Sequence, residues 1–92
     1  MKRSIIQDDD MCYVCGNPNT EVHHVMYGSA NRKLSDEFGL VVHLCSEHHR
    51  GRAGVHFNHP FDICLKKIAQ MRFEAVYGAH THFREVFGRN YL

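Results

Sequence analysis

The apolar positions of this 92-residue chain fall into two short runs and one long periodic stretch. Leu40-Val41-Val42-His43-Leu44 is the strongest strand signal, because aliphatic and β-branched side chains suit a pleated backbone. Residues 21–27 (Glu-Val-His-His-Val-Met-Tyr) are also β-biased. The polar residues 28–39 between them read as a loop with one helical turn at residues 35–38. The pattern therefore predicts a two-stranded hairpin. Residues 61–77 show helical spacing, with Cys64, Ile68, Met71 and Ala75 on one stripe and Phe61, Leu65 and Val76 flanking it. On this reading Cys64 is a buried free cysteine. Pro60 suits the first turn of that helix, Asp62 its positive end, and Gly78 its C-cap.

The shorter elements follow from punctuating residues. Cys45 ends the second strand, and Ser46 then serves as the N-cap of a short helix carrying His48 and His49, stopped by Gly51 and Gly54. Residues 55–60 form a connector, and a last short helix spans residues 81–87, closed by Gly88. Cys12-x-x-Cys15-Gly16 followed by Asn17-Pro18 marks a tight turn in which glycine lets backbone N–H groups face sulfur. No internal repeat and no low-complexity segment is visible. The expected organisation is one α+β domain over residues 1–92: a loose tail (1–10), a zinc-stapled core (11–58) and a C-terminal helical extension (59–92).

Composition sharpens this outline. A chain of this length is near the lower limit for a self-supporting core and gains from a staple such as a structural metal. The net charge of +1 gives no global basic field. Charge is nonetheless uneven: Asp8-Asp9-Asp10 is acidic, whereas Arg32-Lys33, Arg50, Arg52, Lys66-Lys67 and Arg72 are basic. Nine histidines are a large excess. No segment reads as membrane-spanning or as an export signal, so a cytoplasmic, reducing compartment is expected, where Cys-x-x-Cys reads as a metal motif before a disulfide.

Cys12, Cys15, Cys45 and His48 supply three sulfurs and one nitrogen, a closed tetrahedral donor set for structural Zn²⁺. Within each pair two residues intervene, so both ligands reach one ion from a single turn. The 29 residues between Cys15 and Cys45 accommodate the hairpin. Knuckle, hairpin and helix start together form a treble-clef pattern. His49 is the alternative fourth ligand, although the x-x spacing favours His48. His43 sits within the apolar strand as a packing histidine.

With those ligands assigned, His23, His24, His49 and His56 remain. The succession Cys12-x-x-Cys15, Glu21-x-His23-His24 and Leu44-Cys45-x-x-His48-His49 resembles the HNH nuclease domain, the ββα-metal fold, and in particular small phage-encoded HNH proteins. The resemblance covers roughly residues 12–58. It implies a metal-dependent endonuclease hydrolysing DNA phosphodiester bonds. It also implies that His23 binds a catalytic divalent metal, that His24 is the general base, that His49 contributes to the metal or the scissile phosphate, and that His56 completes the metal site. Mg²⁺, Mn²⁺, Ni²⁺ and Zn²⁺ are all compatible with such ligands, nitrogen favouring the softer ions. Where the family carries its middle Asn, this chain has Phe38-Gly39-Leu40, with Asn31 and Asn58 as candidate replacements.

The chemistry is reasonable on the residues alone. Phosphodiester hydrolysis needs a base that works near neutrality and a cation for the developing charge. Arg32, Lys33, Arg50 and Arg52 flank the histidines in sequence and are the expected DNA-backbone contacts. One requirement is structural: successive strand residues point to opposite faces, so His23 and His24 can share a site only at a strand end or bulge. The tail helices, with Lys66-Lys67 and Arg72, are available for homodimerisation or DNA contact. The resemblance further suggests a partner in phage recombination or packaging. Two other readings compete: a non-catalytic treble-clef zinc module that binds nucleic acid or protein, and a purely structural zinc-stapled accessory protein.

Overall fold

The computed structural model describes residues 3–52, 54–78 and 80–92. It is a small α+β structure in the order β1 (Glu21–His24), α1 (Ser29–Phe38), β2 (Val41–Leu44), α2 (Ser46–His49), α3 (His59–Tyr77) and α4 (His80–Phe87). β1 and β2 pair antiparallel, with Glu21 opposite Leu44, Val22 opposite His43, His23 opposite Val42 and His24 opposite Val41. Val41, Val42 and Leu44 are buried, which explains the strength of that strand's sequence signal. No helix among the described residues is long and apolar enough to cross a membrane.

The segment expected to be a polar loop is largely the ten-residue helix α1. Its large apolar residues are only Leu34 and Phe38, one helical turn apart and packed against the core, so the pattern is thin. Tertiary contacts supply what propensity does not. Ser35 is fully buried, and its Oγ donates to Met26 O (2.8 Å) and accepts from Met26 N (3.1 Å), fastening α1 to the end of β1. Gly39 ends the helix in the left-handed region (φ 73°), and a Cβ there would meet Arg3 O at 2.5 Å. Non-glycine residues are excluded twice over, by the dihedral and by the approach of the N-terminal segment.

That segment is not a loose tail over its described part. Ile5 N donates to Gly39 O (2.9 Å), Ser4 Oγ donates to Val41 O, Gln7 Oε1 accepts from His43 N (2.8 Å), and Ile5 and Ile6 pack on the core. Residues 1 and 2 lie outside the described residues.

Helix α3 has the expected extent but turns a different face inward. Asn58 is its cap, its side chain accepting from Phe61 N (3.1 Å). Leu65, Ala69 and Phe73 are buried together with Asp62, Lys66 and Gln70. Met71 (59 % exposed) and Val76 (50 %) face solvent, and Cys64 is exposed rather than buried. Polar residues break up the true inward stripe: Lys66 Nζ donates to Asp62 Oδ2 (2.8 Å), and Gln70 bonds to Asn90 (2.7 Å) and Tyr91 N (2.7 Å). Phe73 then packs edge-on against Phe38 and Phe83 (5.3 Å each), closing the core between α1, α3 and α4.

Candidate functional site

Two groups of side chains could hold a metal ion, and the neighbours His48 and His49 belong one to each. The first begins at the turn of residues 12–17, closed by Gly16 N→Cys12 O and Cys12 N→Asn17 O (2.9 Å each). Tyr13 N→His43 O (2.8 Å) pins that turn to β2. Cys45, not Ser46, occupies the N-cap position of α2, and His48 stands one turn further on. Cys12, Cys15, Cys45 and His48 thereby each offer one ligand atom, all within 4.8 Å of one another.

The separations fit a tetrahedral ion. Cys15 Sγ to Cys45 Sγ is 3.8 Å, Cys12 Sγ to His48 Nδ1 is 3.7 Å, and Cys45 Sγ to His48 Nδ1 is 3.2 Å. A tetrahedron with ~2.3 Å metal–sulfur and ~2.0 Å metal–nitrogen bonds has edges of roughly 3.8 Å and 3.6 Å. Burial alone would raise the Cys12 thiol, but backbone N–H groups of Cys45, Cys15 and Val14, with the Cys15 side chain, pull it down to about 6. A thiol so placed is a thiolate at neutral pH, the form that binds metal. These four residues could hold a metal ion.

The second group is His23, His49 and His56, again with one nitrogen each within 4.8 Å. Their ring centroids form a near-equilateral triangle with sides of 5.2, 5.3 and 4.9 Å. His56 reaches the triangle because the chain after α2 folds back, with Val55 N→His48 O (2.9 Å) and Phe57 N→Gly54 O (3.0 Å). His23 is 2 % exposed, and its Nε2 has no hydrogen-bond partner among the described residues. Burial, reinforced by His49 and His56, pushes His23 down to about 3, and burial with His49 also lowers His56. The lowered values of His23 and His56 keep one nitrogen of each ring free of a proton, as a metal ligand requires, so the three residues could hold a metal ion.

Each neighbour of this triangle has a defined orientation. His49 Nδ1 lies 2.7 Å from Glu21 Oε1, and Arg50 Nε lies 3.1 Å from the same oxygen. The bond to His49, aided by Arg50, keeps the Glu21 carboxyl below its ordinary range. A carboxylate only accepts, so Nδ1 of His49 carries the proton and Nε2 keeps the lone pair. His24 is the last residue of β1, and its Nε2 lies 2.8 Å from Asp36 Oδ1 on α1. The same reasoning leaves the lone pair of His24 on Nδ1.

The doublet therefore stands at a strand end, and both histidines line one cavity of about 280 Å³, together with Arg32, His49, Arg50 and His56. Of the other expected backbone contacts, Lys33 and Arg52 are exposed but do not line this cavity. Lys66 is 9 % exposed and paired with Asp62, whereas Arg72 is exposed and its Nε donates to Ile5 O (2.9 Å). His43 is satisfied, near Thr20 Oγ1 (3.4 Å) and Asp10 Oδ1 (3.4 Å). Asn58 is committed to capping α3.

The sequence pattern does not single out Glu21 or Asp36 as site residues. Glu21 had a signal, since it shares a strand face with His23 two residues on. Asp36 has none, because a polar loop with one helical turn at residues 35–38 gives no face directed at β1. No family model, curated protein or solved structure matches the chain.

Proposed function

We propose that the protein is a metal-dependent endonuclease of the HNH type, hydrolysing DNA phosphodiester bonds on a zinc-stapled ββα-metal domain. The observation that carries this reading is the division of the two adjacent histidines. His48 lies with three cysteines, whereas His49 lies with His23 and His56 beside His24 and two arginines. On this reading zinc, favoured by three thiolates and one imidazole, occupies the first group as a staple. The turn of residues 12–17, the strand pair and α2 then constitute a treble clef.

His23, His49 and His56 would hold a divalent ion, which would supply positive charge against the negative charge developing on the phosphate. His24 Nδ1 accepts a proton from the attacking water. Asp36 holds the ring through Nε2 and stabilises the imidazolium that forms. Water oxygen bonds to phosphorus as the bond to the leaving ester oxygen breaks, and that oxygen departs with the electron pair and takes a proton from solvent water. Arg32 and Arg50, both exposed at the cavity, hold the phosphates on either side. Glu21 fixes the tautomer of His49.

The test is cleavage of plasmid and oligonucleotide DNA with Mg²⁺, Mn²⁺, Ni²⁺ or Zn²⁺ added, comparing the wild type with His24→Ala. The expected result is metal-dependent nicking by the wild type, and a loss of at least 100-fold in the variant with zinc content and fold intact. DNA binding without any cleavage would favour the non-catalytic zinc module. Undiminished cutting by His24→Ala would remove the role given to that residue.

A further inference from the structure

A second cavity, of about 360 Å³, adjoins the first through Tyr27, whose ring lies 5.8 Å from that of His56. Its walls include Tyr27, Asn31, Asp62, Lys66, Arg89 and Tyr91. Asp62 is 4 % exposed. Its Oδ2 accepts from Lys66 Nζ (2.8 Å) and Tyr27 OH (3.1 Å), but its Oδ1 has no partner among the described residues. A buried carboxylate oxygen without a donor is costly, and an ion pair kept only for stability would satisfy both oxygens. Nor does Asp62 join a metal-ligand group: those found among the described residues are the cysteine and histidine sets.

The remaining chemistry defines what would supply the donor. Two tyrosine rings form flat walls, with Lys66 Nζ 4.2 Å from the Tyr27 centroid and 5.8 Å from that of Tyr91. The charge of Lys66 is balanced by Asp62. Arg89 also lines the cavity and is exposed, its guanidinium over the Tyr91 ring at 5.5 Å from the centroid. The volume is at the small end of ligand sites and suits one flat ring system, not a base pair.

We propose that this cavity is a subsite for one unstacked nucleobase of the strand whose phosphate occupies the histidine cavity, with an amino N–H of the base donated to Asp62 Oδ1. The proposal rests on the nucleic-acid reading above and adds a base preference to it. Adenine, cytosine and guanine carry an exocyclic amino group, whereas thymine offers only its ring N3–H, flanked by two carbonyl oxygens that the Asp62 carboxylate repels, so thymine is the disfavoured occupant. Stacking on Tyr91 holds the ring, and Arg89 meets its phosphate.

The test uses the full chain with zinc bound, titrated with dAMP, dCMP, dGMP, dTMP or inorganic phosphate and followed by ¹H–¹⁵N NMR. Saturable shifts at the amides of Tyr27, Asp62, Lys66 and Tyr91 are expected with the three amino-bearing nucleotides. dTMP should bind at least several-fold more weakly, and phosphate should not reproduce the pattern. Tyr91→Leu should weaken binding by roughly 5- to 100-fold, the range of base–aromatic stacking, while Tyr91→Phe keeps it. Equal shifts with inorganic phosphate, equal affinity for dTMP, or shifts confined to His23, His49 and His56 would each overturn the subsite. DNA cleavage measured on the same samples separates the two readings. Nucleotide shifts without cleavage reject the enzyme but keep the base site, and cleavage without these shifts does the reverse.

Discussion

Asp36 offers the sharpest test of the proposed mechanism, because its carboxylate touches nothing in the metal group and one of its oxygens faces His24. Replacing it by Ala removes the acceptor 2.8 Å from His24 Nε2 and leaves the imidazole free to rotate or change tautomer. A hydrogen bond to a charged group contributes roughly 1.5–3 kcal/mol. The His24 side chain is 14 % exposed but that of Asp36 is 41 % exposed, so solvent competes and lowers the contribution to the bottom of that range or below it, about 1–2 kcal/mol. If the bond strengthens as the ring takes a proton, this difference appears in the barrier, as a drop of roughly 5- to 30-fold in kcat. Asp36→Asn retains an acceptor oxygen and should lose less. The assay is single-turnover cleavage of a labelled oligonucleotide at saturating metal, with KM, zinc content and thermal stability measured in parallel. The prediction is a fall in kcat with KM and zinc unchanged. Wild-type kcat in Asp36→Ala would refute the reasoning, as would an equal loss traced to a rise in KM.

Three further outcomes follow from the same geometry. Cys12→Ala should abolish the tight metal and unfold much of the domain at 37 °C, whereas Cys64→Ala, at an exposed position, should change stability by less than about 0.5 kcal/mol, both read by circular dichroism melts with and without chelator. With the histidine site metal-free, His23 should make the fold acid-labile. Its folded value of about 3 lies below the ordinary 6.5, so the unfolded chain binds the proton first, and stability falls from pH 6.5 toward 3 by roughly 2–4 kcal/mol. His23→Leu should flatten that slope in urea titrations across this range, and an unchanged slope would contradict the burial of a neutral imidazole. Arg50→Gln should weaken DNA binding and reduce its salt dependence by about one counterion, measured by fluorescence anisotropy at several salt concentrations; an unchanged slope would remove Arg50 from the interface.

How much of this was legible depends on what each residue's neighbours reveal. The strand of Val41, Val42 and Leu44 announced itself because all three are apolar and all three are buried. The first metal group was legible because two ligand pairs, each spaced x-x, constrain where a chain can turn. The hidden parts share a cause: tertiary contacts replaced the usual signal. α1 is carried by Ser35 and two apolar residues and so looked like loop. The inward face of α3 holds Asp62, Lys66 and Gln70, which no hydrophobic count would place inside, and so Cys64 and Met71 were assigned the wrong side. Tyr27 and Asp62 matter only because α3 packs beside the end of β1, a relation that separation in sequence conceals. His23 and His24 share a cavity because the strand stops at His24, a boundary that the β-biased residues up to Tyr27 did not mark.

The central claim is that neighbouring histidines serve different metals. Native mass spectrometry of the wild type, His48→Ala and His49→Ala, before and after addition of Ni²⁺ or Mn²⁺, tests it most directly. The wild type should carry one tightly held zinc and gain a second ion. His49→Ala should keep the zinc and lose the second ion, whereas His48→Ala should lose the zinc. Loss of the same ion in both variants, or retention of the tight zinc in His48→Ala but not in His49→Ala, would contradict the account.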